Sequence, residues 1–295
     1  MTKLVANNVS KKFKSHQVLQ GLSFVCEDEI LFIAGKNGAG KTTFIRLALG
    51  MERLNKGEIH YESEKELSSN DLRKGCVFDT PCLFMEMSGQ ENINIFCTGY
   101  LQDYAHINQI LDRLNIDHRF LMQKAKTYSF GQQHRLNVAI ALIRKPQVLF
   151  LDEPTVGLDP VSWELVKESI ILNQQQQKGC VIITGQDFSE MEKMANKVLI
   201  LDEGQNKYLG TPGELIKRFP KRILLKTKSA TLPEDIKKYI VQVDEDENEN
   251  FGYLFSAGEQ TDDVFIRIKN SALEITHLSI IETNLKEAFM KTINM

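Results

Sequence analysis

The sequence predicts an α/β fold: a mostly parallel sheet core over residues 1–212, then a small α+β domain over 213–295. Three observations predict it. Short, almost wholly apolar runs alternate with helical patterns through the first part of the chain, the texture of strands covered on both faces. Between Gly89 and Lys145 strand patterns vanish and helical periodicity takes over, which marks a helical insertion at about 84–145. After Gly210-Thr-Pro-Gly213 the runs begin to alternate in polarity, as half-buried strands do.

In chain order, Leu22–Cys26 and Ile30–Ala34 read as strands, Gly35–Lys41 as a loop and Thr42–Leu49 as a helix. Cys76–Phe78, Val148–Leu151, Val181–Thr184 and Val198–Leu201 are further strands, each short and apolar. Ile107, Ile110, Leu111 and Leu114 form one helical face of the insertion. Gln174–Gln177 is expected to be the end of a helix beginning near Ser162. In the small domain Arg222–Lys226 and Phe265–Ile268 alternate like strands, whereas Pro233–Tyr239 and Thr283–Ile293 look helical. The acidic run Asp244–Asn250 is expected to be a solvated hairpin loop.

Composition excludes several function classes. Lys plus Arg number 36 against 39 Asp plus Glu, a net charge of -3 over 295 residues, so no nucleic-acid partner is expected. Five scattered cysteines without a CxxC pair read as reduced thiols, and the six histidines lack metal-ligand spacing. No run approaches the roughly 18 to 20 apolar residues of a membrane span, and the N-terminus has no apolar stretch of signal-peptide length. A cytoplasmic location is expected, with any membrane contact made through another chain.

Gly35-Lys-Asn-Gly-Ala-Gly40-Lys41-Thr42-Thr43 matches G-x-x-x-x-G-K-[ST] between an apolar strand and a helix. Its glycines let the N–H groups of Asn37, Gly38, Ala39 and Gly40 curl around phosphate oxygens. The helix that follows adds a positive N-terminal dipole. Lys41 is placed to reach the β- and γ-phosphates, the Thr42 hydroxyl to ligate Mg²⁺, and Thr43 to continue the cradle. The apolar run Val148–Leu151 ends in Asp152-Glu153. Asp152 is expected to bind Mg²⁺, and Glu153 to polarise a water aimed at the γ-phosphate.

Downstream of this pair's partner loop, Tyr128-Ser129-Phe130-Gly131-Gln132-Gln133 resembles the signature motif of ABC ATPases, and Pro154-Thr-Val-Gly157-Leu158-Asp159 resembles the same family's segment ending in the D-loop. The resemblance spans about residues 3–212. It implies a P-loop NTPase fold with a RecA-like sheet core, an antiparallel β subdomain and a helical signature subdomain. It also implies that Phe13 stacks on adenine with Val18 beside it, and that ATP and Mg²⁺ are the ligands. Two ATPase units, identical or related, would close head to tail, with Ser129, Gly131, Gln132 and Asp159 serving the partner's nucleotide. An integral membrane permease would be moved by that closure, docking near Phe84–Phe96 and holding the chain on the inner face of the membrane. Thr283-Asn-Leu285-Lys-Glu-Ala-Phe289 resembles the closing helix of drug, peptide and bacteriocin-immunity exporters, which implies export of a drug or an amphipathic peptide.

Two positions depart from the family. Asp79 stands where a glutamine normally ligates Mg²⁺, and Gln186 takes the place of the switch histidine. Glutamine donates a neutral hydrogen bond and cannot become cationic, so slow hydrolysis is expected. A nucleotide-gated regulator with little turnover and a soluble ABC mechanoenzyme are the competing readings. His134 and Arg135 are expected to be surface groups, and Trp163 to pack on a helix face.

Overall fold

The computed structural model describes residues 2–63, 72–228, 231–245 and 251–294. The chain forms two compact units, residues 1–211 and 212–295. The larger begins with β1 (Thr2–Phe13), β2 (His16–Glu27), β3 (Ile30–Ala34), α1 (Lys41–Ala48), β4 (Lys56–Ser63) and β5 (Lys74–Val77). Four helices follow: α2 (Gly89–Phe96), α3 (Tyr104–Arg113), α4 (His118–Met122) and α5 (Phe130–Ile143). The unit ends with β6 (Val148–Asp152), α6 (Pro160–Gln177), β7 (Cys180–Gly185), α7 (Phe188–Met194), β8 (Lys197–Asp202) and β9 (Gln205–Gly210).

Six of these strands make one sheet in the order β5-β6-β7-β3-β8-β9, parallel except for the β8–β9 hairpin. Every residue of β3, β6 and β7 is buried, which is why their sequences are continuous apolar runs and not alternating ones. The carboxyl ends of β3, β6 and β7 lie side by side, so the loops after them converge at one edge. A second, antiparallel sheet has the order β2-β1-β4. Its inward residues Leu4, Leu22 and Phe24 share a core with Phe44 and Ile45 of α1, and the Phe24 and Phe44 rings lie 5.1 Å apart.

Each of the four helices α2–α5 begins at a polar side chain that accepts from its first turn: Ser88, Asp103, Asp117 and Ser129. Such caps satisfy donors that the helix cannot pair internally. The Tyr128 hydroxyl accepts from the Gly89 N–H at 3.1 Å and donates to the Phe120 carbonyl at 2.7 Å, pinning α2 and α4 beside α5.

The smaller unit contains α8 (Pro212–Lys217), β10 (Arg222–Thr227), α9 (Glu234–Lys237), β11 (Ile240–Glu245), β12 (Phe251–Ser256), α10 (Thr261–Lys269), β13 (Ile275–Ile281) and α11 (Leu285–Ile293). Its strands pair antiparallel in the order β11-β12-β10-β13. Ile223, Leu225, Tyr253 and Phe255 from the sheet pack with Ile236, Val264 and Ile268 from the helices.

Two expectations for this unit need correction. Phe265–Ile268 is part of α10 and not a strand. Val264 and Ile268, four residues apart, are both buried, so the helical period wins once the window exceeds four residues. The acidic run is not simply a loop. Asp244 and Glu245 belong to β11 and pair with Gly252 and Phe251, while residues 246–250 lie outside the described residues.

Candidate functional site

The loop between β3 and α1 is shaped by glycine at two places. A Cβ on Gly35 would stand 2.5 Å from the Leu201 carbonyl oxygen, inside contact distance. Gly40 caps α1 at φ +105°, and a Cβ there would meet Leu19 at 2.7 Å. Both positions therefore exclude a side chain. Lys41 is buried, and its Nζ donates to the Gly35 carbonyl at 2.8 Å and the Lys36 carbonyl at 3.2 Å. It also lies 3.8 Å from Glu153 Oε1. Burial lowers the Lys41 pKa, and the carboxylates of Glu153 and Asp152 work against that fall.

The end of β6 supplies those carboxylates. Asp152 is buried and accepts from Thr42 Oγ1 at 2.7 Å and from the Thr184 hydroxyl. Phosphate loop, β6 and β7 thus meet on one aspartate. Glu153 has φ +51°, the left-handed region that non-glycine residues rarely adopt. Its N–H donates to the Thr184 carbonyl at 3.1 Å, which fixes this turn. Burial raises the Glu153 pKa, Lys41 opposes the rise, and Asp152 and Asp79 add to it.

Gln186, just past β7, donates from Nε2 to Asn37 Oδ1 at 2.7 Å, reaching across to the phosphate loop. Asp79, after β5, accepts the Thr80 N–H at 2.7 Å. A cavity of about 740 Å³ is lined by Phe13, Val18, Asn37, Gly38, Gly40, Lys41, Thr42, Thr43, Asp79, Asp152, Glu153 and Gln186. Ala39 is buried within the loop, its N–H donating to the Lys36 carbonyl at 3.1 Å. Phe13 is 43% exposed, with the Lys11 ammonium 4.6 Å over its ring. A planar base would find an open aromatic face there.

Ser129, Gly131, Gln132 and Asp159 are not among the cavity-lining residues. Each does local work. The Ser129 hydroxyl accepts the Gln132 N–H at 3.2 Å while Gln132 Oε1 accepts the Ser129 N–H at 2.9 Å, a reciprocal cap for α5. Asp159 caps α6 by accepting the Ser162 N–H at 2.9 Å and hydroxyl at 2.7 Å. A Cβ on Gly131 would stand 3.1 Å from the Gly157 carbonyl oxygen.

Four further residues line the cavity: His16, Thr80, Phe130 and Val156. His16 is two positions before Val18 on β2, so strand alternation puts both on one face, a legible signal. Phe130 had no local signal. Its ring occupies the space a side chain on Gly157 would fill, 2.2 Å from the Cβ position. His134 also corrects an expectation, since it is fully buried with both ring nitrogens lacking a hydrogen-bond partner. Helix α5 is packed against α3, α6 and β5, so little of its circumference faces solvent. Arg135 is half-buried and donates to the Leu114 carbonyl at 3.0 Å.

The oxygen set Thr42, Asp152 and Asp79 suits a hard divalent cation. Among the described residues no cluster of three or more His, Cys, Asp or Glu gathers. These donors fit a Mg²⁺ that completes its shell with phosphate oxygens and waters better than a cation held by protein alone. Among the described residues no helix is long and apolar enough to cross a membrane.

The sequence model of the ABC transporter family matches residues 19–156. The chain is 32% identical over 211 residues to the uncharacterised ABC transporter ATP-binding protein YhcH of Bacillus subtilis, covering 69% of this chain and 68% of that one. It is 30% identical over 207 residues to the lantibiotic transport ATP-binding protein SrtF of Streptococcus pyogenes, covering 68% of this chain and 88% of that one. A solved ATP-binding subunit of an ABC transporter superposes with a TM-score of 0.65 at 22% identity, over 73% of this chain and 92% of the other, a likeness of fold.

Proposed function

The chain belongs to the ABC transporter ATP-binding proteins, a family that hydrolyses ATP, and from that premise we propose that it powers export of a drug or amphipathic peptide through a separate membrane permease. The observation that carries this reading is the convergence of Lys41, Thr42, Asp152, Glu153 and Gln186 on one cavity with Phe13. Phe13 and Val18 receive the base, and the N–H groups of the Gly35–Thr42 loop receive the phosphates. Lys41 exchanges its carbonyl partners for phosphate oxygens, a stronger, charge-assisted contact. Thr42, Asp152 and Asp79 would hold Mg²⁺, which would supply positive charge beside the phosphates. Glu153 accepts a proton from the attacking water.

Head-to-tail pairing of two such units fits the positions of Ser129, Gly131, Gln132 and Asp159, which do not line the chain's own cavity although Phe130 does. Ser129, Gly131 and Asp159 stand at helix starts outside the chain's own cavity, where anions from another chain meet a favourable dipole. Export is supported by the lantibiotic transport relative and by the resemblance of Thr283-Asn-Leu285-Lys-Glu-Ala-Phe289, which opens α11, to the closing helix of exporter ATPases. The permease supplies the membrane and holds the chain at its inner face. Gln186 and Asp79 make hydrolysis slow, and they also favour a second reading, a nucleotide-gated regulator that closes without turnover.

The test is Mg-ATP turnover by the full chain at several protein concentrations, alone and with a co-purified permease. Turnover that rises faster than linearly with concentration supports paired units. Binding of ATP without phosphate release in either preparation favours the regulator.

A further inference from the structure

Gln186 and Asp159 each stand at the start of a helix, and the first turns of those two helices are joined. Asp187, directly after Gln186, caps α7 by accepting the Glu190 N–H at 3.3 Å. Asp159 caps α6. Across the gap Trp163 Nε1 donates to Glu190 Oε2 at 3.0 Å. Lys167 Nζ reaches the same oxygen at 3.0 Å, and Lys193 Nζ reaches Oε1 at 3.0 Å. Trp163 is 5% exposed. Trp163 and Lys167 from α6 and Lys193 from α7 itself therefore hold one carboxylate, and the two α6 donors tie α7 to α6.

The other end of this chain of contacts is the phosphate loop, through the 2.7 Å bond from Gln186 to Asn37. On the reading above, a γ-phosphate competes with Asn37 for that amide. Gln186 directly precedes Asp187, so a backbone shift that carries its amide toward phosphate would pass through the Asp187 cap to Glu190. We propose that Trp163 and Glu190 are positioning residues: they clasp the γ-phosphate loop to the helix behind the D-loop and transmit γ-phosphate occupancy from Gln186 to Asp159. This inference rests on the assignment of Gln186 to the γ-phosphate. An indole is suited to the task because it fills the contact between two helices while its single N–H fixes one direction.

Trp163 is the single tryptophan of the chain, so its emission reads the clasp directly. In full-length Glu153→Gln protein, Mg-ATP is expected to change the emission and Mg-ADP at equal saturation to leave it unchanged. Gln186→Ala in that background should remove the ATP-specific change when read at nucleotide concentrations that saturate the variant, as monitored with a fluorescent ATP analogue. In the otherwise unsubstituted chain, Trp163→Phe and Glu190→Ala should each lower kcat about tenfold, with KM for ATP within about twofold. Glu190→Gln keeps an acceptor for the indole and is expected to restore most of the rate. Nucleotide binding with identical emission in ATP and ADP overturns the clasp alone. So does a loss from Trp163→Phe that appears in KM and Tm but not in kcat. An ATP-specific emission change in a chain that never releases phosphate overturns the hydrolysis reading and leaves the clasp standing. Failure to bind ATP overturns both.

Discussion

In the phosphate half of the site, polar side chains satisfy one another across elements; in the half formed by the starts of α5 and α6, each is used at its own helix end. Thr42 and Thr184 meet on Asp152 from different elements, and Gln186 crosses to Asn37. Ser129 and Gln132, by contrast, cap each other within three residues, and Asp159 accepts both the N–H and the hydroxyl of Ser162. The first arrangement would, on the proposed function, be a receptor already assembled, its internal bonds exchanged for phosphate. The second is a pair of ordered helix ends, from which Phe130 alone of the named residues lines the cavity. On the proposed function, the first half binds nucleotide and the second acts against a second chain.

The sharpest way to break that comparison is to damage each half and measure binding and turnover separately. Lys41→Ala removes the buried cation from the assembled half and should weaken ATP binding and abolish phosphate release. Glu153→Gln should leave ATP binding intact and reduce turnover by about 10² to 10³ or more, since it removes a group that acts only in the reaction. Because burial holds the Glu153 pKa above its ordinary 4.5, turnover should fall on acidification before an unperturbed carboxylate would titrate.

Ser129→Ala tests the other half with a smaller effect. It removes the α5 cap at a cost of about 1 kcal/mol and should lower turnover with no loss of ATP affinity in dilute protein, measured by analogue titration. A parallel loss of affinity in dilute protein would mean that both halves serve one nucleotide in one chain.

Legibility follows the same division. Strands β3, β6, β7 and β8 could be read from the sequence because burial on both faces demands apolar runs. Strand β1 could not, because its alternation is broken by register shifts between Ala6 and Val9 and between Val9 and Lys11. Phosphate-site residues are legible because a curled loop and a carboxylate at a strand end impose local order on the chain. Phe130 and Val156 reach the cavity through tertiary proximity around Gly157, which no local pattern encodes. His134 looked like a solvent-facing polar residue on a helix, and only the packing of α5 on three sides buries it.

Gln186→His sharpens the comparison in the opposite direction. An imidazole that can become cationic should stabilise developing charge better than a neutral amide, so turnover should rise by about tenfold or more. The gain belongs to kcat, because ground-state ATP is already held by the loop and Lys41. Unchanged or slower phosphate release would remove Gln186 as the cause of slow hydrolysis.

The smallest expected effect concerns His134, a buried polar residue of α5 that neither half uses. Both nitrogens are unpaired in a fully buried ring, and a buried polar group without a partner costs stability. His134→Leu, an apolar residue of smaller polarity and similar reach, should therefore raise Tm by about 2–4 °C. The pH dependence separates this from general repacking. Burial lowers the His134 pKa from 6.5 to about 4, and Asp79 only partly opposes it. Below the unfolded value the unfolded chain takes up a proton that the folded chain refuses, so stability is present above 6.5 and is lost as pH falls toward 4. The gain from His134→Leu should accordingly widen between those two values in thermal melts. A gain that stays constant over that window would mean that the ring is paired or hydrated in solution, and that α5 is less tightly enclosed than its neighbours α3, α6 and β5 imply.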